Sequence, residues 1–202
     1  MDVVCLDLEG VFTPEIWEAV AVSTGIEKLK LTTRDIPDYD LLMRQRLEIL
    51  RENNISLKEI QKTISGMDLL PGAQKFSEWL KSNVQAIIVT DSFIEFIRPL
   101  GKKLSYSMIF CHNLEIDKNG MIINYNLRIK NMKAKTVSTF KDMNYNVLAI
   151  GDSYNDIGML SEADYGILFR PPENVVKEFP QFPVCTEYSE LKQIISNHLG
   201  IK

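Results

Sequence analysis

Two histidines and three cysteines are all that this 202-residue chain has of the residues that most often bind zinc. His112 and His198 have no zinc-like partner spacing, so a zinc site is not expected. Cys5, Cys111 and Cys185 are odd in number and scattered, which argues against a disulfide framework and for a reducing compartment. There is no long basic run, and the net charge is -4, so a nucleic-acid footprint is missing. A phosphorylated ligand would have to be met by local cations. No apolar segment approaches the roughly 20 residues that a membrane span needs. The first residues lack a basic stretch, and Asp7 and Glu9 interrupt their apolar run, so no signal peptide is expected. Internal repeats and low-complexity segments are absent. The expected location is cytoplasmic, with small-molecule substrates, no nucleic acid, no membrane, and a monomeric or homodimeric state.

The hydrophobic fraction of 45% and charged fraction of 25% are ordinary for a globular protein. Short apolar runs at Val3–Leu8, Ala86–Thr90, Ser107–Cys111, Val147–Ile150 and Gly166–Phe169 read as buried strands. Helical patterns near 73–82, 93–104, 133–143 and 187–198 alternate with them. That alternation predicts an α/β fold, with a Rossmann-like parallel sheet covered on both faces in three layers. Residues 14–68 break it with helical patterns at 15–24, 39–53 and 57–65. They read as a helical cap inserted after the first strand, leaving 1–13 and 69–202 as the core. Pro71-Gly72 marks the return to the core. Asp117-Lys118-Asn119-Gly120 between β-prone runs predicts a hairpin near 114–129.

In a parallel sheet the carboxyl ends of the strands share one edge, where ligands bind. Three such ends carry polar residues here: Asp7-Leu8-Glu9-Gly10, Thr90-Asp91-Ser92, and Gly151-Asp152-Ser153-Tyr154-Asn155-Asp156. Singly, each has a plain reading. Thr90, Asp91 or Ser92 could cap the next helix, and Asp152 and Asp156 could form a turn and a cap. Asp7 is harder to dismiss because it lies inside an apolar run, where a charge is costly unless it is paired or metal-bound. Such an acid is also a candidate nucleophile.

Together these residues resemble the motifs of the haloacid dehalogenase-like phosphatase superfamily. Asp7–Val11 is similar to its first motif, Asp-x-Asp-x-(Thr/Val), with Glu9 in the second acidic place. Thr90 fits the second motif, Lys133 the third, and Gly151–Asp156 the fourth, Gly-Asp-x-x-Asn-Asp. The resemblance implies that Asp7 is the nucleophile, forming an aspartyl-phosphate, and that Glu9 is the general acid and base. It implies Mg²⁺ held by Asp7, Asp152 and the Glu9 backbone carbonyl, with Asp156 acting through water or by holding the ligands. Thr90 and Lys133 would bind the phosphoryl oxygens, with Asp91 and Asn155 among the substrate-binding residues. Outside that context, Lys133 reads as an exposed helix-start lysine.

The cap bears on the substrate. Arg44 has Asp40 four residues before it and Glu48 four after, which places it on a charged outer face. Arg46 falls instead on the apolar stripe with Tyr39, Leu42, Met43, Ile49 and Leu50. There it fits an anion receptor, a packed stem whose head reaches water, or the partner of a buried acid. Glu15, after Pro14, fits a helix first turn, where acids complement the dipole. The chain further resembles the phosphoserine phosphatase branch, and within it the bifunctional phosphoserine phosphatase/homoserine phosphotransferase group. Cys5–Val11, Thr32–Asp40, Gly151–Asp156, Pro172–Val175 and Glu178–Pro183 carry that likeness. It implies that Glu15 binds a substrate amine, that Arg46 binds its carboxylate, and that Tyr39 is an aromatic of the cap helix. It also implies transfer of the phosphoryl group from phosphoserine to homoserine. Alternatives are a phosphatase for a sugar phosphate or nucleotide, and a receiver-like phospho-accepting switch.

Overall fold

The computed structural model describes residues 1–201 apart from 33, 34, 37 and 105–107, and only the backbone of residues 101 and 102. Thr33, Arg34 and Pro37 of the stretch quoted above, and Ser107 of the expected third strand, lie outside the described residues.

Among the described residues, seven strands form one sheet: β1 (Asp2–Leu6), β2 (Ala86–Phe93), β3 (Ile109–Ile116), β4 (Ile122–Asn126), β5 (Asn146–Gly151), β6 (Tyr165–Phe169) and β7 (Val184–Cys185). Their order is β4-β3-β2-β1-β5-β6-β7, parallel throughout except for the β3–β4 hairpin. β1 is central, flanked by β2 and β5, and both of its faces are covered. That is why its residues run Val-Val-Cys-Leu without polar alternation. Val4 and Leu6 share one side of the sheet with Ile88, Leu148 and Ile150, and Val3 and Cys5 share the other with Ile87, Val89, Val147 and Ala149.

Three helices follow β1: α1 (Ile16–Thr24), α2 (Tyr39–Glu52) and α3 (Leu57–Gly66). Local chemistry sets their ends. Asp38 caps α2 by accepting the Leu41 N–H, Ser56 and Glu59 form a capping box on α3, and Gly25 closes α1 in a left-handed conformation. α4 (Ala73–Asn83) then leads to β2, which is followed by the short helices α5 (Ile94–Ile97) and α6 (Gly101–Leu104). α7 (Met132–Asp142), α8 (Ile157–Glu162), α9 (Glu173–Glu178) and α10 (Tyr188–Leu199) complete the chain. Phe76 and Leu80 of α4 and Leu191 and Ile195 of α10 pack on one face of the sheet; Val137 of α7, Met159 of α8 and Val175 of α9 pack on the other. This is the expected three-layer α/β architecture. Among the described residues, no helix is long and apolar enough to cross a membrane.

Two expectations change. The helix at 93–104 is broken into short turns, because β2 stays extended through Phe93 and Pro99 cannot donate a backbone N–H within the segment. The third strand does not end at Cys111. It runs to Ile116 and is itself the first arm of the hairpin, which turns at 117–121 with Asp117 accepting the Asn119 and Met121 N–H groups. β7, α8 and α9 were not anticipated; β7 spans two residues and each helix six, too few for a periodic signal.

α10 is fastened to the loop after β1. The Tyr188 hydroxyl donates to the Val11 carbonyl at 2.6 Å, and its ring stacks on Phe76 with centroids 5.0 Å apart. Tyr188→Phe leaves the buried Val11 carbonyl without this donor, at a cost of about 1–2 kcal/mol. Calorimetry should show Tm lowered by roughly 3–6 °C; an unchanged Tm would mean that the bond does not stabilise the loop.

Candidate active site

Asp7 lies one residue past β1, and the Leu8 N–H donates to its Oδ1 at 2.7 Å. Asp152 lies one residue past β5. Between β1 and β5 the chain must come very close, and two glycines permit it. Gly10 has φ +74°, and a side chain on it would run into the Asp152 carboxylate; a side chain on Gly151 would run into Asp156. Asp7, Asp152 and Asp156 each offer an oxygen, and all three lie within 4.8 Å of one another. Three hard oxygen donors at that spacing suit a divalent cation such as Mg²⁺ or Ca²⁺.

Lys133 is the counter-charge. It is 3% exposed, at the second residue of α7, and not the exposed helix-start lysine its position alone allowed. Its Nζ stands 2.8 Å from Asp156 Oδ1, 2.9 Å from Asp7 Oδ2 and 3.5 Å from Asp91 Oδ2. Burial opposes its charge, but Asp156, Asp7 and Asp91 outweigh burial and hold its pKa well above the ordinary lysine value. The other oxygen of Asp156 accepts the N–H groups of Asp152 and Ser153 at 3.0 and 3.1 Å. For Asp7, burial and then Asp156 push the carboxyl well up, against the pull of Lys133. Burial, Asp156 and Glu15 raise Asp152 to about 7.

β2 delivers its polar residues through an irregularity. Val89 pairs with Phe110 and Phe93 with His112, so β2 takes four steps where β3 takes two. The extra length falls on Thr90, Asp91 and Ser92, which bulge toward the shared sheet edge. Thr90 is buried, and its Oγ1 accepts the Ser92 N–H at 3.2 Å. The Asp91 carboxylate meets Asn155 Nδ2 at 3.2 Å and lies 3.7 Å from His112 Nε2. Burial works against it, yet Lys133, His112 and Asn155 together hold its pKa well below the usual range.

A cavity of about 460 Å³ opens over these groups, lined by Asp7, Glu9, Glu15, Tyr39, Arg46, Thr90, Asp91, Lys133 and Asn155, with Trp17 and Phe93 among its apolar walls. Every candidate residue therefore lines one space or lies in the acidic cluster beside it. Glu15 makes no cap hydrogen bond to α1. It acts on Glu9 instead: burial, followed by the Glu15 charge, pushes the Glu9 carboxyl well above its ordinary value. Arg46 is buried, its guanidinium 4.6 Å above the Trp17 ring and its Nη2 donating to the Leu31 carbonyl at 2.7 Å. Its Nε has no hydrogen-bond partner among the described residues, and burial lowers its pKa to about 10. The Tyr39 hydroxyl donates to the Asp91 carbonyl at 3.4 Å. Arg44 sits on the outer face, 2.6 Å from Asp40, while Glu48 pairs with Arg51 instead.

Sequence reasoning missed His112 and Trp17. The signal for His112 was its place directly after an apolar, strand-forming run. Trp17 had none, since a tryptophan in a helix with buried apolar residues reads as packing.

Residues 1–164 match the haloacid dehalogenase-like hydrolase family. A Pseudomonas aeruginosa protein named phosphoserine phosphatase ThrH is 52% identical over 193 residues, spanning 96% of this chain and 94% of that protein. A phosphoserine phosphatase of Pseudomonas syringae pv. tomato is 50% identical over 193 residues, covering 96% of this chain and 81% of that one. In fold, the chain resembles the crystal structure of phosphoserine phosphatase from T. onnurineus in complex with NDSB-201, with a TM-score of 0.75 at 22% identity over 97% of this chain and 94% of that one.

Asp152 has a pKa raised on folding, so the folded chain holds a proton that the unfolded chain releases between the ordinary aspartate value and about 7. Its contribution to stability therefore falls as pH rises through that window. In chelator at pH 8, Asp152→Asn should melt about 2–4 °C above the parent, equivalent to roughly 1 kcal/mol, and the two should converge near pH 4. A lower Tm for the variant at both pH values would contradict the repulsion.

Proposed function

This chain belongs to the haloacid dehalogenase-like hydrolases, and we propose that it is a Mg²⁺-dependent phosphoserine phosphatase that can also pass the phosphoryl group to homoserine. One observation carries the substrate assignment: Arg46 and Glu15, which suit the carboxylate and the ammonium of an amino acid, line the same cavity as Asp7. In this reading residues 14–68 are a cap over a core of 1–13 and 69–202.

Asp7 and Asp152 would hold the Mg²⁺ with the Glu9 backbone carbonyl, and Asp156 would contribute through water or by holding the ligands. When bound, the ion supplies positive charge that offsets repulsion between Asp7 and a phosphate dianion. The crowding of Asp7, Asp152 and Asp156, with one lysine among three acids, fits that need.

The chain's own groups do the rest. A carboxylate oxygen of Asp7 attacks phosphorus, the bond from phosphorus to the serine oxygen breaks, and Glu9 gives that oxygen its proton. Burial and Glu15 favour the protonated form of Glu9 beforehand. Thr90 and Lys133 hold the phosphoryl oxygens, while Asp91 and Asn155 border them. Serine then leaves. Glu9, now a carboxylate, takes the proton from water or from the homoserine hydroxyl as that oxygen attacks phosphorus and frees Asp7. Homoserine competes with abundant water only if position favours it, so Arg46, Glu15 and Tyr39 must hold it under a closed cap. Because serine leaves before homoserine enters, the kinetics should be ping-pong.

The test is to incubate the protein with phosphoserine, Mg²⁺ and rising homoserine, and to follow inorganic phosphate and phosphohomoserine together. Phosphohomoserine should rise at the expense of phosphate; none at any concentration would leave a simple phosphatase. Arg46→Ala should raise KM for phosphoserine about 10- to 100-fold, the loss of a charged hydrogen-bond pair. Unaltered phosphoserine kinetics in that variant would refute amino-acid recognition by Arg46.

A further inference from the structure

His112 is 2% exposed in the middle of β3 and plays no part in the reaction as described above. Its two ring nitrogens face different partners. The Arg128 backbone N–H donates to Nδ1 at 3.2 Å. Nδ1 must therefore be the bare nitrogen, which leaves the proton on Nε2. That proton faces Asp91 Oδ1 at 3.7 Å, while the other oxygen of Asp91 faces Asn155 and Lys133. Arg128 also donates from Nε to the Cys111 carbonyl at 2.9 Å, so the segment between β4 and α7, which delivers Lys133, is pinned to β3 at Cys111 and His112.

Asp91 is a difficulty for a phosphate site. It is a carboxylate in the wall of the cavity that must accept an anion, and at 3.5 Å it stands close enough to compete for the buried Lys133 ammonium. Unless its charge is held elsewhere, it repels the incoming phosphate and draws Lys133 away. His112 and Asn155 are the donors placed to hold it.

We propose that His112 is a positioning residue for phosphoryl binding: its Nε2–H holds the Asp91 carboxylate back against β3, so that Lys133 is free to turn to the phosphoryl oxygens. This rests on the reading that Lys133 receives those oxygens, and it adds a determinant outside the four sequence motifs.

The experiment measures binding of inorganic phosphate, with Mg²⁺ present, to the intact protein and its variants. His112→Leu weakens phosphate about tenfold and raises KM for phosphoserine by the same factor, with kcat within about twofold, because the half-buried Asp91 carboxylate has lost the imidazole N–H that faces it. His112→Gln, whose amide can donate toward Asp91, restores most of the affinity. In an Asp91→Asn background, where there is no charge to hold back, His112→Leu changes the phosphate Kd less than twofold. The ¹⁵N spectrum of the parent shows the Nε2–H tautomer of His112, with its Nε2 signal moving when phosphate is added. Equal losses from His112→Leu with and without Asp91→Asn overturn the proposal, as does an Nε2 signal indifferent to phosphate. If His112→Leu does not fold, the His112→Gln affinity and the ¹⁵N titration decide the matter. Failure of the underlying reading looks different: Lys133→Ala would then bind phosphate as tightly as the parent.

Discussion

One ammonium group, buried among three carboxylates, is the constraint on which this structure turns. Lys133 lies within 3.5 Å of Asp7, Asp91 and Asp156, which arrive from β1, β2 and the turn after β5. A charge removed from water persists only if it is matched, and deleting one member of such a buried set costs about 3–5 kcal/mol. The lysine therefore ties three strand ends and the start of α7 into one unit. The glycines follow from the same closeness, since Gly10 and Gly151 stand where any side chain would displace Asp152 or Asp156.

The match is incomplete, and the chemistry follows from that. Asp156 is fully engaged by Lys133 and two backbone N–H groups. Asp91 has Lys133, His112 and Asn155 around it. Asp7 and Asp152 are left in surplus, with their pKa values driven upward by burial and by neighbouring acids. Surplus negative charge in a largely buried cluster is what a divalent cation relieves, and a nucleophilic carboxylate beside it is what phosphoryl transfer uses. On the far wall the sign pattern differs. Arg46, propped on Trp17, faces a carboxyl pair made by Glu9 and Glu15. The cavity thus has a pole suited to a phosphate and another suited to a zwitterion.

Much of this could be read from the chain. The sheet was legible because its central strands are buried on both faces and so lack polar interruptions, and Asp7 stood out by violating that pattern. The difference between Arg44 and Arg46 was legible from helical spacing alone, with Arg44 outside on Asp40 and Arg46 inside on Trp17. Other features depend on distant parts of the chain. The burial of Lys133 follows from carboxylates supplied by Asp7, Asp91 and Asp156, so its own neighbours read only as a helix start. Glu15 looked like a first-turn acid because nothing nearby in sequence reveals the Glu9 carboxyl against it. His112 acquires a partner only through the bulge in β2, and a break in register leaves no mark in composition.

If the lysine-centred cluster exists to make Asp7 a phosphoryl acceptor, a covalent intermediate must form there. Rapid acid quench of the Mg²⁺-loaded protein mixed with ³²P-labelled phosphoserine measures it directly. The label should appear on the protein within the first turnover, be released by hydroxylamine as an acyl phosphate is, map to the peptide containing Asp7, and vanish in Asp7→Asn. Turnover of phosphoserine without such a label, or a label that persists in Asp7→Asn, would contradict the assignment of Asp7 and with it the purpose given to the buried lysine.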